Sequence, residues 1–181
     1  MLKKDKVACF TGHRPNKLPG GYDYTSEKNL ILANEIENQI IELYNIGVRH
    51  FICGGALGVD QIAFNVLTKL RDKENFNITI EIAIPFDGFE SQWPFESKAL
   101  FYKQLVFADK ITAVDTNSHY KTTAPVGKYH PEKMEKRNHY MVDHSQYIIA
   151  VFDGSKSGTY NCINYARLKN RTIKIINPRT I

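Results

Sequence analysis

Six short apolar runs alternate with stretches whose apolar residues recur at helical spacing, and this alternation leaves few folds open to the chain. The runs fall at residues 7–11, 50–53, 78–84, 110–114, 147–152 and 172–176. Between them, Leu30, Ala33, Ile36, Ile40, Leu43 and Tyr44 predict a helix over 26–46, capped by Thr25 or Ser26 and stopped by Gly47. Ile62, Ala63, Val66, Leu67 and Leu70 predict a second helix, and residues 98–107 a third. Pro131 opens a fourth carrying Met134, Arg137, Asn138, Met141 and Val142; a fifth spans 159–169. Strands separated by helices make βαβ units. The expected fold class is therefore α/β: one Rossmann-like domain over 1–181, a three-layer sandwich of a mostly parallel sheet with helices on both faces.

At 181 residues such a domain buries enough surface to need no disulfide or metal staple. The three cysteines, Cys9, Cys53 and Cys162, show no CxxC or Cys/His ligand spacing, so neither a metal nor a cofactor is called for. Two of them lie inside apolar runs, which suits a reducing compartment. No apolar segment precedes the first strand as a leader, and no run approaches the ~20 residues that cross a bilayer. The expected location is cytoplasmic, away from membranes. A net charge of +5 favours anionic partners, but the basic residues are spread without a Lys/Arg block. A nucleic acid is thus a weaker expectation than a nucleotide-type small molecule. A homo-oligomer is also compatible with the chain.

Ligands of open α/β sheets sit at the carboxyl ends of the strands. Three glycine-bearing segments lie there. The first is Thr11-Gly12-His13-Arg14, in which Gly12 permits close backbone approach, Arg14 offers a planar fork for phosphate, and His13 can donate a hydrogen bond or move a proton. The bland alternative is a turn with a solvated arginine. The second is Gly54-Gly55-Ala56-Leu57-Gly58-Val59-Asp60, whose small residues and helix start suit an anion, with Asp60 as a helix cap or ribose contact. Tight strand–helix packing would explain it equally. The third, Asp153-Gly154-Ser155-Lys156-Ser157-Gly158-Thr159, repeats the logic before the last helix, where Thr159 is also a plain N-cap candidate. No Walker P-loop is present. Arg137 and Asn138 either reach the strand-end face or lie on a solvated one. Pro85 closes the third strand; Glu81, Asp87, Glu90, Phe89 and Trp93 nearby are secondary candidates, the two aromatics better read as core cover.

Together Thr11 to Pro15, Gly54 to Asp60, Pro85-Phe86, Arg137-Asn138 with Met141-Val142, and Asp153 to Thr159 resemble the SLOG superfamily, which includes the LOG phosphoribohydrolases and the DNA-processing protein DprA. The resemblance is to the YpsA-like branch and runs through the whole chain. It implies a Rossmann-like fold and a nucleotide-type ligand such as a nucleoside phosphate, ADP-ribose or NAD. LOG enzymes release a base from a nucleoside monophosphate with an arginine and a glutamate. Arg137 matches that arginine and Gly154, Gly158 and Thr159 match the glycine-threonine turn, but the glutamate position falls on Cys162. A thiol does not replace a carboxylate at an oxocarbenium-like centre. The leading expectation is therefore a nucleotide-ligand binding protein, a sensor or sequestering protein, with no catalytic residue assigned. An N-glycosidic hydrolase using Asp60, Asp153, Glu90 or His13 is the first alternative, and a DprA-like single-stranded DNA binder the second.

Overall fold

A computed structural model describes residues 6–181. Within them the strands are Val7–Gly12 (β1), His50–Cys53 (β2), Thr79–Ile84 (β3), Lys110–Ala113 (β4), Tyr147–Val151 (β5) and Thr172–Ile176 (β6). The helices are Glu27–Asn45 (α1), Val59–Lys73 (α2), Phe95–Phe107 (α3), Pro131–Asp143 (α4) and Gly158–Leu168 (α5). The absence of a leader, expected from the sequence, rests partly on residues 1–5, which lie outside the described residues. No helix among those described is long and apolar enough to cross a membrane.

The strands form one sheet in the order β4-β3-β2-β1-β5-β6. Every pairing is parallel, because each connection carries a helix that returns the chain to the same edge. Side chains alternate across the sheet. Ala8, Phe10, Phe51, Ile82 and Val151 face α1, α2 and α3, while Val7, Cys9, Ile52, Ala83 and Ile148 face α4 and α5. The central strands are thus covered on both faces, as their continuous apolar runs require.

Helix boundaries follow local chemistry. The Ser26 hydroxyl accepts the Asn29 amide at the start of α1, and Gly47 ends it at φ +100°, a left-handed conformation that suits glycine. The buried face of α1 is Leu32, Ile36, Ile40 and Leu43; Leu30, expected on that face, is 51% exposed. Leu30 and Leu32 are about 200° apart around the helix, so only one can face the core. In α5 the cap is Ser157, whose hydroxyl accepts the Tyr160 amide, and Thr159 is buried inside the first turn rather than capping it. α3 begins at Phe95, directly after Pro94, three residues earlier than the pattern predicts.

The polar stretch after β4 is less irregular than its composition suggests. It holds two short 3₁₀ turns, Val114–Thr116 and Ser118–Tyr120. Lys133, fully buried in the first turn of α4, donates to Asp115 Oδ2 and to the Pro125 carbonyl, both at 2.7 Å. Asp115 Oδ2 also accepts the Gly127 amide. This buried pair fastens the loop to the start of α4.

The chain lays down β1 to β4 in one direction and then crosses to place β5 on the other side of β1. Strand order therefore reverses at β1 and β5, and the crevice outside their carboxyl ends is where such sheets bind ligands.

Candidate functional site

A cleft of about 330 Å³ occupies that crevice. Thr11, Gly12, His13 and Arg14 form one wall as β1 ends; Ala56 and Asp60 enter from the start of α2. Arg137, Asn138, Met134 and Met141 enter from α4, and Ser157, Gly158 and Thr159 from the start of α5. Eleven of the eighteen residues expected at the site line this cleft, so the three glycine-bearing turns do converge on one rim. Gly54, Gly55, Gly58, Pro85, Asp153, Gly154 and Ser155 do not line it. Asn16, Lys17, Met134 and Met141 line it and were not among the expected ligand contacts; the two methionines carry only the signature of a helical apolar face.

The glycines act differently from one turn to the next. A Cβ on Gly12 would fall 2.6 Å from Val59 Cβ, so Gly12 lets the first turn of α2 pack against β1. Gly58, at φ +96°, has no room for a Cβ beside the His13 carbonyl at 2.5 Å. In the second turn most amides are already bonded. Asp60 accepts the amides of Gly54 and Ala56 at 3.1 and 3.2 Å, Tyr24 OH accepts that of Gly58 at 2.8 Å, and the His13 carbonyl accepts that of Val59. The carboxylate of Asp60 thus holds the turn itself. The start of α5 is different: helix geometry leaves the amides of Gly158 and Thr159 without intrahelical acceptors, and both residues line the cleft. The partial positive charge of that helix end adds to theirs.

Arg137 is only 5% exposed yet reaches the cleft. Its Nη1 donates to the Gly54 carbonyl and its Nε to Asn138 Oδ1, at 3.0 Å for the latter. Nη2 has no protein acceptor among the described residues. Burial lowers the guanidinium's pKa and the nearby Asp60 opposes that shift. Arg14 is exposed at the rim, and Lys17 donates to Ser155 Oγ at 3.0 Å. Among the described residues, three cations and one helix start therefore surround the opening, against the carboxylate of Asp60.

The candidate acid–base groups are committed elsewhere. Asp153 accepts from Ser155 (amide and hydroxyl) and from both Nε and Nη2 of Arg179, and its Oδ1 lies 2.7 Å from His13 Nε2. The Ser155 hydroxyl above all, with the other donors, holds its carboxyl well below the usual range. Glu90 is buried and accepts the Tyr102 hydroxyl at 2.9 Å. Cys162 is buried beside Thr11 and Arg137; burial pushes its thiol up to about 11, more than those two neighbours lower it. It is a thiol, not a thiolate, at neutral pH.

Other secondary candidates fall away from the cleft. Glu81 sits near the amino end of β3, buried among His50, Lys110, Thr112 and Tyr140. Burial raises its pKa, but those four hydrogen bonds outweigh burial and hold it at about 2. Asp87 is exposed, and Phe89 and Trp93 meet edge to face with Phe101 over the core, as core cover predicts.

Fold and cleft define an α/β protein of the Rossmann-like class with its crevice at the β1–β5 switch point. Residues 8–180 match the YspA SLOG family (YpsA), and the chain belongs to that family. It is similar to the uncharacterised SPbeta prophage-derived protein YoqJ of Bacillus subtilis, 45% identical over 118 residues, 65% of this chain and 68% of that protein. It is also similar to the UPF0398 protein BH1768 of Halalkalibacterium halodurans, 27% identical over 85% of this chain and 76% of that one. Among solved structures it resembles DNA processing protein A (DprA) from Streptococcus pneumoniae, with a TM-score of 0.61, 18% identity and 95% of this chain covered. DprA from Helicobacter pylori, a protein with a single-stranded DNA binding mode, gives 0.57, 18% and 96%. The chain spans half of the first DprA chain and 66% of the second. These two likenesses concern the fold.

Proposed function

We propose that this protein binds a phosphate-bearing nucleotide or nucleotide-derived ligand, such as a nucleoside phosphate, ADP-ribose or an NAD-like molecule, and acts as a sensor or sequestering protein. One observation carries the reading: Arg14, Lys17, Arg137 and the start of α5 surround one cleft at the strand-order reversal. The phosphate sits against the amides of Gly158 and Thr159, where helix dipole and side-chain charge agree. Arg14 and the free Nη2 of Arg137 supply charge-assisted hydrogen bonds to it. The apolar floor of Met134 and Met141 takes the flat part of the ligand. A volume of about 330 Å³ is at the small end of the range for such ligands. The same geometry weighs against base release in the LOG manner, since Asp60 is engaged by the amides of its own turn, Asp153 by Ser155 and Arg179, and Cys162 is a buried thiol.

Calorimetric titration with nucleoside monophosphates, ADP-ribose and NAD tests the reading, with chromatography of each mixture for released base. Saturable binding weakened by Arg14→Ala, and no base release, are expected. No binding at millimolar ligand sinks it.

A second reading, single-stranded DNA binding, has one observation in its favour. Asn16 and Lys17 also line a neighbouring depression of about 530 Å³ that carries Lys28 and Arg179, so cationic surface continues beyond the cleft. The named binding mode of the H. pylori DprA agrees with this. Fluorescence anisotropy with a labelled oligothymidylate separates the two: a strand held by phosphate contacts gives affinity falling steeply with salt.

A further inference from the structure

α3 buries one side and presents apolar residues to solvent on the other. Phe101 and Gln104 are buried against the body of the protein. Phe95, Ala99, Tyr102 and Val106 recur at i, i+4, i+7 and i+11 on the other side, and Phe95 and Val106 are 81% and 80% exposed. Such spacing makes one continuous stripe. Phe107, at the end of the helix, and Ile111, in β4, are about half exposed and extend the apolar surface toward the edge of the sheet, where β4 has no outer neighbour among the described residues. Contiguous exposed apolar surface of this kind marks an interaction site.

The charges beside the stripe say what covers it. Glu96 and Lys103 lie on the same flank of α3, two turns apart, and their midpoint falls between Ala99 and Leu100, close to the middle of the stripe. Both are exposed and neither has an ion-pair partner within the chain among the described residues. A two-fold axis through the middle of the stripe sets a second α3 antiparallel to the first and keeps that flank facing its own copy. Glu96 then lies beside Lys103 of the partner subunit, twice over. Identical patches whose flanking charges pair with their own copies are what an isologous dimer requires, and Lys98, on the opposite flank, is turned back to the Ser91 carbonyl. We propose that α3 is the seam of a homodimer formed by antiparallel two-fold packing of this helix, with Phe95, Tyr102 and Val106 at its apolar centre and the Glu96–Lys103 pairs at its rim. The seam lies at the far end of the sheet from the β1–β5 crevice, so both clefts stay open and the proposal does not depend on what they bind.

Sedimentation velocity over about 1–200 µM tests it on the full chain. The wild type is expected at twice its 20.8 kDa protomer mass, and Val106→Glu at the protomer mass, with its dissociation constant raised by about 30-fold or more, the loss that marks a central interface residue. Val106 is exposed, so an unchanged circular dichroism spectrum is expected of the variant. Glu96→Lys and Lys103→Glu should each weaken the dimer several-fold, and the double charge reversal should restore it. A wild type that stays a monomer at the highest concentration overturns the proposal and leaves the stripe to a different partner. A dimer unmoved by Val106→Glu, or a double reversal no tighter than its singles, overturns it as well.

Discussion

Replacing Lys133 by Met should destabilise the protein by about 3–5 kcal/mol, the cost of breaking a buried ion pair from one side. The structure says why the cost is high here. Lys133 and Asp115 are 1% and 2% exposed at their side chains, with Nζ 2.7 Å from Oδ2. The ammonium also binds the Pro125 carbonyl, and Asp115 Oδ1 has no partner among the described residues. Without Lys133 the carboxylate keeps a single amide, that of Gly127. For a domain of this size 1 kcal/mol moves the melting midpoint by about 2–4 °C, so a fall of about 6–20 °C is expected. Urea titration followed by fluorescence of the single tryptophan, Trp93, and by far-ultraviolet circular dichroism gives the free energy and checks that the two transitions coincide. Asp115→Asn in the same background removes the stranded charge, so the double variant should cost less than the sum of the singles by about 1 kcal/mol or more. A single substitution costing under about 1 kcal/mol, or strict additivity, would refute the reasoning.

Three further outcomes follow. Glu81, held at about 2 by its hydrogen bonds, contributes stability that is complete above its ordinary carboxylate range and is lost as pH falls toward about 2. Urea midpoints measured from pH 7 down to pH 3 should therefore decline more steeply for the wild type than for Glu81→Gln; parallel curves would contradict this. Gly12→Ala forces a methyl into the Val59 side chain and should cost about 1–3 kcal/mol by overpacking, read from the same titrations, whereas a neutral effect would mean that α2 yields freely. Cys162, a buried thiol raised to about 11, should resist iodoacetamide at pH 7.5 in the native state and react once urea unfolds the chain, as mass spectrometry will show; rapid native labelling would contradict the assigned burial.

Much of the fold was legible because strand and helix periods leave different marks on the sequence. The runs around Phe51, Ile82 and Ile149 are apolar at successive positions, as strands buried on both faces must be, and the Ser26 cap and Gly47 stop are local chemistry. Leu30 was misplaced because α1 carries apolar residues on both sides and periodicity alone did not give its phase. The convergence of the glycine-bearing turns was legible from their position after strands. Their division of labour was not: Gly12 and Gly58 serve packing, and Asp60 consumes the amides of the second turn, because these depend on contacts between residues up to 47 positions apart that no spacing rule encodes. The buried Lys133–Asp115 pair was hidden for the same reason, since a lysine in a polar stretch reads as solvated until the loop folds over it.

The central claim is that an anionic ligand docks on the free amides at the start of α5. Two-dimensional ¹H–¹⁵N spectra recorded while ADP-ribose or a nucleoside monophosphate is added test it most directly. The account predicts the largest shifts at Gly158 and Thr159, with much smaller ones at Gly54 and Ala56, whose amides Asp60 already holds. Shifts concentrated at Gly54 and Ala56, or a spectrum unmoved at millimolar ligand, would contradict it.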